Sequence, residues 1–321
     1  MKTITVLGSA NMDLVVRQPR LPQPGETIFG SDFATVPGGK GLNQAVAAAR
    51  LDAAVCFIGS LGDDSYGTEL RDVLIGEGID TANVATSARP TGTAHISVVD
   101  SGENSIVVVS GANATVTSLT DAAKQAIERS AVLVMQCELP VEVLEEAIAV
   151  ARAAHVFTVL TPAPVIPLPD GFLASVDLVV PNQIEAAELT GEADPARAAA
   201  SLSAGGTWAI VTLGAEGSIV AYDGSVLGLA PARPVQPVDT TAAGDTFVGA
   251  LVARLTGTPG GADAGSPEPA SVPANERLGH VTEADMVEAV RWATTASSIA
   301  VTRHGATTSM PTFGEVAALL G

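Results

Sequence analysis

Short apolar runs alternate with helical patterns along most of this chain. Runs such as TITVLGS and AVLVMQCE have the length of buried strands, whereas GLNQAVAAARL and VEVLEEAIAVARAA repeat apolar residues every three to four positions. Alternation of this kind is typical of a parallel sheet wrapped by helices. The pattern predicts an α/β fold with a central, mostly parallel sheet flanked by helices.

Two segments, residues 13–37 and 92–110, interrupt this alternation. Both contain strand-like runs joined by turn residues, and in the second the letters DSGEN separate two β-branched runs, which is a strong hairpin signal. We expect the two segments to form a small β-sheet apart from the main one. Such a sheet would serve as a lid or as a contact between subunits.

Residues 257–281 differ in composition from the rest of the chain. They are rich in Gly, Pro, Ala and Ser and nearly lack large apolar residues, so they predict a flexible insertion between two helical patterns. Outside this stretch no internal repeat is visible, and 47% hydrophobic content over 321 residues supports a sizeable packed core. We therefore treat residues 1–321 as a single domain.

The chain is strongly acidic. Lys and Arg total 16 against 35 Asp and Glu, a formal charge of −19, which disfavours binding to nucleic acid and to anionic membranes. No uncharged apolar run approaches the roughly 18 residues of a membrane span, and the opening segment lacks the pattern of a signal peptide. Cys56 and Cys137 lie in apolar runs, which favours buried thiols in a reducing compartment. We expect a cytoplasmic protein with small-molecule partners.

Polar residues follow several of the predicted strands directly. Asn11 and Asp13 follow the first run, Glu138 and Asn182 follow two later runs, and the letters LGAEG follow WAIVT. In open α/β sheets ligands bind at the carboxyl ends of the strands. Any one such residue is more often a turn or helix cap. Their recurrence at one predicted sheet edge favours a binding site.

The stretch PGGKGLNQA combines a glycine pair with two side-chain donors, Lys40 and Asn43. It is not a phosphate-binding P-loop, because Gly41 follows the lysine and Ala34 replaces the first glycine of that motif. Adjacent glycines let a ligand approach the backbone at the start of a helix. A plain strand-to-helix turn would explain the glycines, but not the lysine and asparagine together.

The stretch VDTTAAGDTF places a carboxylate after three small residues. Ala242, Ala243 and Gly244 would present backbone N–H groups at a helix start, which is a pocket for developing negative charge. Asp245 would accept a proton from a hydroxyl beside that pocket. The alternative is that Asp245 is only a helix N-cap.

In their order and spacing, these motifs resemble the PfkB (ribokinase-like) family of carbohydrate kinases. The resemblance covers nearly the whole chain and includes GSANMDLV, GGKGLNQAVAAARL, MQCELP, PNQIEAAELTG, VTLGAEG, VDTTAAGDTF and AVTRHGATTSMP. It implies transfer of the γ-phosphoryl group of ATP to the 5-hydroxyl of D-ribose, giving ribose 5-phosphate. It also points to a homodimer formed through the lid strands. The insertion at 257–281 departs from the family pattern.

The resemblance also implies a role for individual residues, with Asp245 as the catalytic base beside the 242–244 backbone. The residues that would bind the sugar are Asn11, Asp13, Gly39, Lys40, Asn43, Glu138 and Asp245. Those that would bind ATP are Asn182, Thr212, Leu213, Gly214, Ala215, Glu216, Gly217 and Gly244. The implied Mg²⁺ residue is Glu185, and those for an activating K⁺ ion are Asp239, Thr241, Ala300, Arg303, Gly305 and Ser309.

Two other functions remain open at this point. A kinase of the same family could act on 2-deoxyribose, another sugar or a nucleoside, although Asn11 and Asp13 close together favour a polyhydroxylated sugar. A sensor that binds sugar or nucleotide without turnover would belong to a different class. The presence of Asp245 and Glu185 together argues against such a sensor.

Overall fold

The computed structural model describes residues 2–257 and 281–321. The predicted insertion at 257–281 therefore lies outside the described residues, apart from its two end residues.

The described residues form thirteen strands and nine α-helices, which alternate much as the apolar pattern predicts. The strands are β1 (Thr3–Leu7), β2 (Asn11–Gln18), β3 (Asp32–Gly38), β4 (Ala54–Gly62), β5 (Asp80–Ser87), β6 (Gly92–Val99), β7 (Asn104–Val109), β8 (Val132–Gln136), β9 (Phe157–Thr161), β10 (Leu178–Val179), β11 (Trp208–Thr212), β12 (Ser218–Tyr222) and β13 (Ser225–Ala230). The helices are α1 (Lys40–Arg50), α2 (Ser65–Gly76), α3 (Asp121–Glu128), α4 (Val141–Ala153), α5 (Gln183–Thr190), α6 (Pro195–Leu202), α7 (Ala243–Leu255), α8 (Glu283–Ala300) and α9 (Phe313–Leu320).

Nine strands form the main sheet in the order β13-β12-β11-β10-β9-β8-β1-β4-β5. From β5 to β11 every neighbouring pair is parallel, and β12 and β13 add an antiparallel edge. The prediction of a mostly parallel sheet flanked by helices is confirmed. Parallel order brings the carboxyl ends of seven strands to one edge, where the ligand sites of such sheets lie.

The two segments that interrupt the alternation form the small sheet, in the order β3-β2-β6-β7. Strand β2 pairs antiparallel with β3 and parallel with β6, and β6 and β7 form the predicted antiparallel hairpin. The separate small sheet is thus confirmed, although β2 begins at Asn11 rather than after residue 13. On β7 the apolar side chains are exposed, with Val107 at 62% and Val109 at 50%.

Alternate residues of the central strands pack on opposite faces of the main sheet. On one face, Ile4 and Val134 join a core with residues from α1, α7 and α8. On the other face, Leu133 and Met135 pack against residues from α3 and α4. Burial of each large side chain contributes about 1.5–3 kcal/mol, so the strand ends rest on a well-packed base.

Two further observations concern the cysteines and the helices. Cys56 and Cys137 are both buried and free of disulfide bonds. Among the helices of residues 2–257 and 281–321, none is long and apolar enough to cross a membrane.

Candidate active site

The predicted sugar residues converge where the main sheet meets the small sheet. Asn11 and Asp13 both lie within the lid strand β2, so the lid includes Asn11 as well as the predicted start at residue 13. Both are buried, at 2% and 9% exposure. The carboxylate of Asp13 accepts no hydrogen bond from the described residues. A buried carboxylate without a donor is costly unless a ligand supplies one.

The glycine pair is explained by a close approach of two backbones. Gly39 is the N-cap of α1 and has a φ of 92°, and a Cβ there would lie 2.8 Å from the backbone nitrogen of Asn11. A side chain is therefore excluded. This contact sets Lys40, the first residue of α1, against the start of β2.

Glu138 follows β8 and connects the β1–β2 loop to the start of α1. Its Oε2 atom accepts hydrogen bonds from the Ser9 hydroxyl and from the backbone N–H of Lys40, the latter at 3.3 Å. Ser9 itself is fully buried. The carboxylate is therefore held at the point where the β1–β2 connection meets the start of α1.

Carboxylates outnumber ammonium groups around Asp13, Lys40 and Glu138. Burial, together with the charges of Glu138 and Asp245, raises the pKa of Asp13 to about 7, although Lys40 opposes the shift. Burial also raises the pKa of Glu138. For Lys40, burial lowers the pKa, but the surrounding carboxylates outweigh it and the net pKa is raised. One ammonium among several carboxylates favours a neutral ligand rich in hydroxyl groups over an anion.

Asp245 lies in the first turn of α7 and is oriented by two consecutive residues of α1. Its Oδ2 accepts from Asn43 Nδ2 and its Oδ1 from Gln44 Nε2, each at 3.0 Å. The N-cap of α7 is Ala242, which has a left-handed φ of 56°. Asp245 is therefore not a helix N-cap, and α7 begins two residues before it.

The side-chain oxygen of Asn43 makes no hydrogen bond with the described residues. Its Nδ2 is used by Asp245, but its Oδ1 is buried and has no hydrogen-bond partner among the described residues. An unpaired buried acceptor beside a carboxylate indicates a place for a ligand hydroxyl.

Two glutamines, Gln44 and Gln136, form a buried chain that the sequence reasoning missed. Gln136 Nε2 donates to Gln44 Oε1 at 2.8 Å, and Gln44 Nε2 donates to Thr161 Oγ1 at 3.3 Å as well as to Asp245. The donation from Gln136 fixes the Gln44 amide with its nitrogen toward the carboxylate. The only signal in the sequence was a glutamine at a position patterned as buried, once in a helix and once in a strand.

The predicted anion pocket differs from expectation at one of its three residues. The Ala243 N–H donates to Thr240 O at 3.2 Å, because a tight turn closes over the left-handed Ala242. The N–H groups of Gly244 and Asp245 have no acceptor among the described residues. Within α7 itself, the helix start therefore offers the N–H groups of Gly244 and Asp245, whereas that of Ala243 is already used.

Asn182 and Glu185 form a capping box at the start of α5. Asn182 Oδ1 accepts from the N–H groups of Ile184 and Glu185 at 2.8 and 2.9 Å, and Glu185 Oε2 accepts from the Asn182 N–H at 2.8 Å. Capping accounts for these bonds without any metal. The second oxygen of Glu185 has no donor within the described residues and so stays available to a cation.

The turn at 212–217 lies beside this cap. Thr212 forms an isolated parallel bridge with Asn182, and the N–H of Leu213 donates to Gly217 O at 2.7 Å. Gly214–Glu216 make one turn of 3-10 helix. The structure thus brings together the residues predicted to bind nucleotide on this side of the site.

The two segments predicted to hold potassium are also in contact. The N–H groups of Val238 and Asp239 donate to Val301 O, and Asp239 accepts from the N–H groups of Thr241 and Gly305 at 2.9 and 3.0 Å. Burial raises the pKa of Asp239, but these hydrogen bonds outweigh it and lower the net pKa.

The remaining potassium residues have protein partners of their own. The Arg303 guanidinium pairs with Glu315, and the buried Ser309 hydroxyl donates to Ala306 O at 2.8 Å. An ionised carboxylate beside backbone carbonyls is a donor set that fits a hard cation. Across the part of the chain that the structure describes, no three His, Cys, Asp or Glu residues cluster to hold a metal by themselves.

The family of this chain follows from comparison with known proteins. The family model described as "pfkB family carbohydrate kinase" matches residues 1–313. The chain belongs to the pfkB family. The enzyme class predicted from the sequence, a carbohydrate kinase, is confirmed.

Several relatives of this pfkB kinase carry a more specific name. A ribokinase of Haemophilus influenzae is 39% identical, covering 97% of this chain and 96% of the relative. A ribokinase of Bacillus subtilis is 38% identical, and all of both chains is covered.

Solved structures agree with the pfkB assignment. The crystal structure of Thermotoga maritima ribokinase matches with a TM-score of 0.84 at 30% identity, covering 100% of this chain and 99% of the other. An Arabidopsis thaliana ribokinase complexed with ribose and ATP matches with a TM-score of 0.84 at 29% identity, with 99% and 98% covered.

Proposed function

We propose that this pfkB kinase transfers the γ-phosphoryl group of ATP to the 5-hydroxyl of D-ribose. Relatives named ribokinase that match over nearly their full length support ribose as the acceptor. A similar structure that holds ribose and ATP supports both substrates. The observation that carries the proposal is the cluster around Asp245, where the Asp13 carboxylate and Asn43 Oδ1 are buried acceptors without donors among the described residues.

A neutral pentose suits the polarity of this cluster. Its hydroxyl protons would fill the open acceptors of Asp13 and Asn43, while its oxygens would accept from Lys40. Each bond to an ionised group contributes about 1.5–3 kcal/mol, and more is lost if a buried partner stays unpaired. The full set that we assign to the sugar is Asn11, Asp13, Gly39, Lys40, Asn43, Glu138 and Asp245.

Asp245 would act as the general base. As the 5-oxygen forms its bond to the γ-phosphorus and the bond to the ADP oxygen breaks, the hydroxyl proton passes to the Asp245 carboxylate. Asn43 and Gln44 each occupy one lone pair of this carboxylate. A lone pair on each oxygen stays free for the proton, and the two amides restrict the rotation of the carboxylate.

The start of α7 would stabilise the charge on the transferred group. The free N–H groups of Gly244 and Asp245 lie at the positive end of a thirteen-residue helix. Oriented N–H donors of this kind typically contribute about 2.7–4 kcal/mol to a transition state. We retain Ala242 and Ala243 in the pocket as the residues whose turn orients these donors.

ATP would lie along Asn182 and the turn at 212–217, which adjoin each other. Glu185 would contribute one carboxylate oxygen toward Mg²⁺, whose remaining ligands are typically phosphates and water. Mg²⁺ neutralises the charge of the phosphates when bound. K⁺ would lie between the 239–241 and 300–309 segments and hold the backbone before α7 in place.

We also propose a homodimer formed through the small sheet, in a cytoplasmic protein. The exposed apolar side chains of β7 support the dimer, since small sheets of this kind need another surface to cover them. Two buried thiols without a disulfide support a reducing compartment.

The variant Asp245→Asn tests the proposed mechanism. It keeps the side-chain shape and removes the base, so kcat should fall by about 10²- to 10⁴-fold while the KM for ATP stays nearly constant. Asp121→Asn is the matched control, because Asp121 is also a first-turn helix carboxylate but lies outside the site. If Asp245→Asn keeps more than about a tenth of the wild-type kcat, the assignment of the base is wrong.

An acceptor panel with the purified wild-type protein separates the alternatives. ATP consumption should be fastest with ribose and slower with 2-deoxyribose, other sugars and nucleosides. A faster acceptor would replace ribose in the proposal. Binding of ribose and ATP without turnover would identify the protein as a sensor.

A further inference from the structure

Asn113 is a buried asparagine to which neither the sequence motifs nor the proposed mechanism assigns a role. It lies in the 3-10 turn Gly111–Thr115, directly after β7, and is 1% exposed. Its Oδ1 accepts from the Ala10 N–H at 3.1 Å, and its Nδ2 donates to Ala10 O at 3.2 Å and to Asn11 Oδ1 at 2.8 Å. Asn113 therefore links the 3-10 turn to the first residue of β2.

These bonds fix the direction of both amides. The backbone of Ala10 offers Asn113 one donor and one acceptor, so turning the Asn113 amide over would lose both bonds. With Asn113 held in this way, its nitrogen faces the oxygen of Asn11. The Asn11 oxygen is thus occupied, and the Asn11 nitrogen, which has no acceptor within the described residues, is left for a ligand.

Gly92 packs closely against both amides of this pair. A Cβ at Gly92 would lie 2.2 Å from Asn11 Oδ1 and 2.4 Å from Asn113 Nδ2. Gly92 pairs with Asn11 across the parallel β2–β6 ladder. Any larger residue at position 92 would displace one of the two amides, so the contact between them depends on this glycine.

We infer that Asn113 is a positioning residue for sugar specificity, acting through Asn11. It holds the Asn11 amide with its N–H₂ group toward the sugar, so this point of the site recognises an oxygen acceptor. Asp13 lies two residues further along the same face of β2 and, when ionised, offers only acceptors. Asn11 would therefore donate to the oxygen of one sugar hydroxyl, and Asp13 would accept the proton of a neighbouring hydroxyl. The inference rests on the proposed function, in which Asn11 contacts ribose.

The test is a set of binding measurements by titration calorimetry. Wild type, Asn11→Ala and Asn113→Ala are each titrated with ribose and with its monodeoxy analogues. Asn113→Ala should weaken ribose binding about tenfold, the scale of one lost hydrogen bond. One analogue lacks the hydroxyl that Asn11 contacts. Asn11→Ala and Asn113→Ala should each bind this analogue as tightly as the wild type does. Thr115→Val is the control, since it removes a hydroxyl from the same 3-10 turn without touching Asn11.

A uniform loss across all the sugars would show that Asn113 has only a structural role and would overturn the inference. Unchanged ribose affinity in Asn113→Ala would overturn it as well. If Asn113→Ala does not fold, Asn113→Asp serves instead, because it keeps the acceptor for the Ala10 N–H and removes the donor to Asn11; the same hydroxyl-specific loss is expected. A wild-type protein that binds none of the sugars would overturn the proposed function and, with it, this inference.

Discussion

Replacing Asp13 by Asn should stabilise the protein while removing sugar affinity. Asp13 is buried beside Glu138 and Asp245, Lys40 offsets the negative charge in part, and the pKa of Asp13 is raised from 3.8 to about 7. An ionised Asp13 therefore destabilises the folded state when no ligand is bound. Asparagine fills nearly the same volume and carries no charge, so it escapes this penalty.

The magnitude follows from the pKa difference between the folded and unfolded states. Between pH 3.8 and about 7 the folded state holds the Asp13 proton more tightly than the unfolded state. Wild-type stability therefore falls as the pH rises through this window, and the full penalty is present above it. At about 1.4 kcal/mol per unit, three units correspond to about 4 kcal/mol. The same relation gives a change of about 2 kcal/mol between pH 5.5 and 8.5.

Urea unfolding of wild type and Asp13→Asn at these two pH values measures the effect. The stability advantage of the variant should widen by about 2 kcal/mol from the lower to the higher pH, and calorimetry at pH 8.5 should show ribose binding lost. Asp72→Asn removes an exposed carboxylate of α2 and should change little at either pH. If the difference between wild type and Asp13→Asn is the same at both pH values, the assigned penalty is wrong.

Two further predictions concern the ion and the subunit contact. Turnover should be faster in potassium than in sodium, and Asp239→Asn should raise the potassium concentration needed for half-maximal rate; equal rates in potassium, sodium and tetramethylammonium buffers would contradict the potassium site. Wild type should sediment as a dimer and Val107→Glu as a monomer, because Val107 is 62% exposed on β7. Leu229→Glu, at a 59% exposed position on β13, is the control and should leave the mass unchanged, whereas a monomeric wild type would refute the dimer.

The fold was largely predictable because its signals are local. About ten residues are enough to recognise the apolar runs of β1 and β8 as strands and the pattern of α1 as a helix. The order of strands in the sheet is not local. Strand β1 lies between β4 and β8, which come from distant parts of the chain. The assignment of Asn11 to the lid strand was missed for the same reason, since β2 is defined by its partners β3 and β6.

The places of Glu138 and Asp245 in the fold were predictable from local sequence, because Glu138 follows a strand-like run and Asp245 lies at the start of a helical pattern. The residues that hold these groups could not be found in this way. Gln44 contacts Asp245 across 201 positions of sequence, and Asn113 contacts Asn11 across 102. Neither Gln44 nor Asn113 has sequence neighbours that mark it as part of a site, and only the folded chain shows what each side chain contacts.

The division of the site between two sheets has a kinetic consequence. Asn11 and Asp13 belong to the small sheet, whereas the nucleotide residues and α7 belong to the layers of the main sheet. The sugar would thus be held in part by the small sheet, whereas the nucleotide would be held by the layers of the main sheet alone, so the position of the small sheet would affect the distance over which the phosphoryl group travels. Effective molarity depends steeply on that distance, and a 1 Å error can lower a rate about 10²-fold. A shift of the small sheet relative to the main sheet would then slow the transfer even where the binding of ATP stays unchanged.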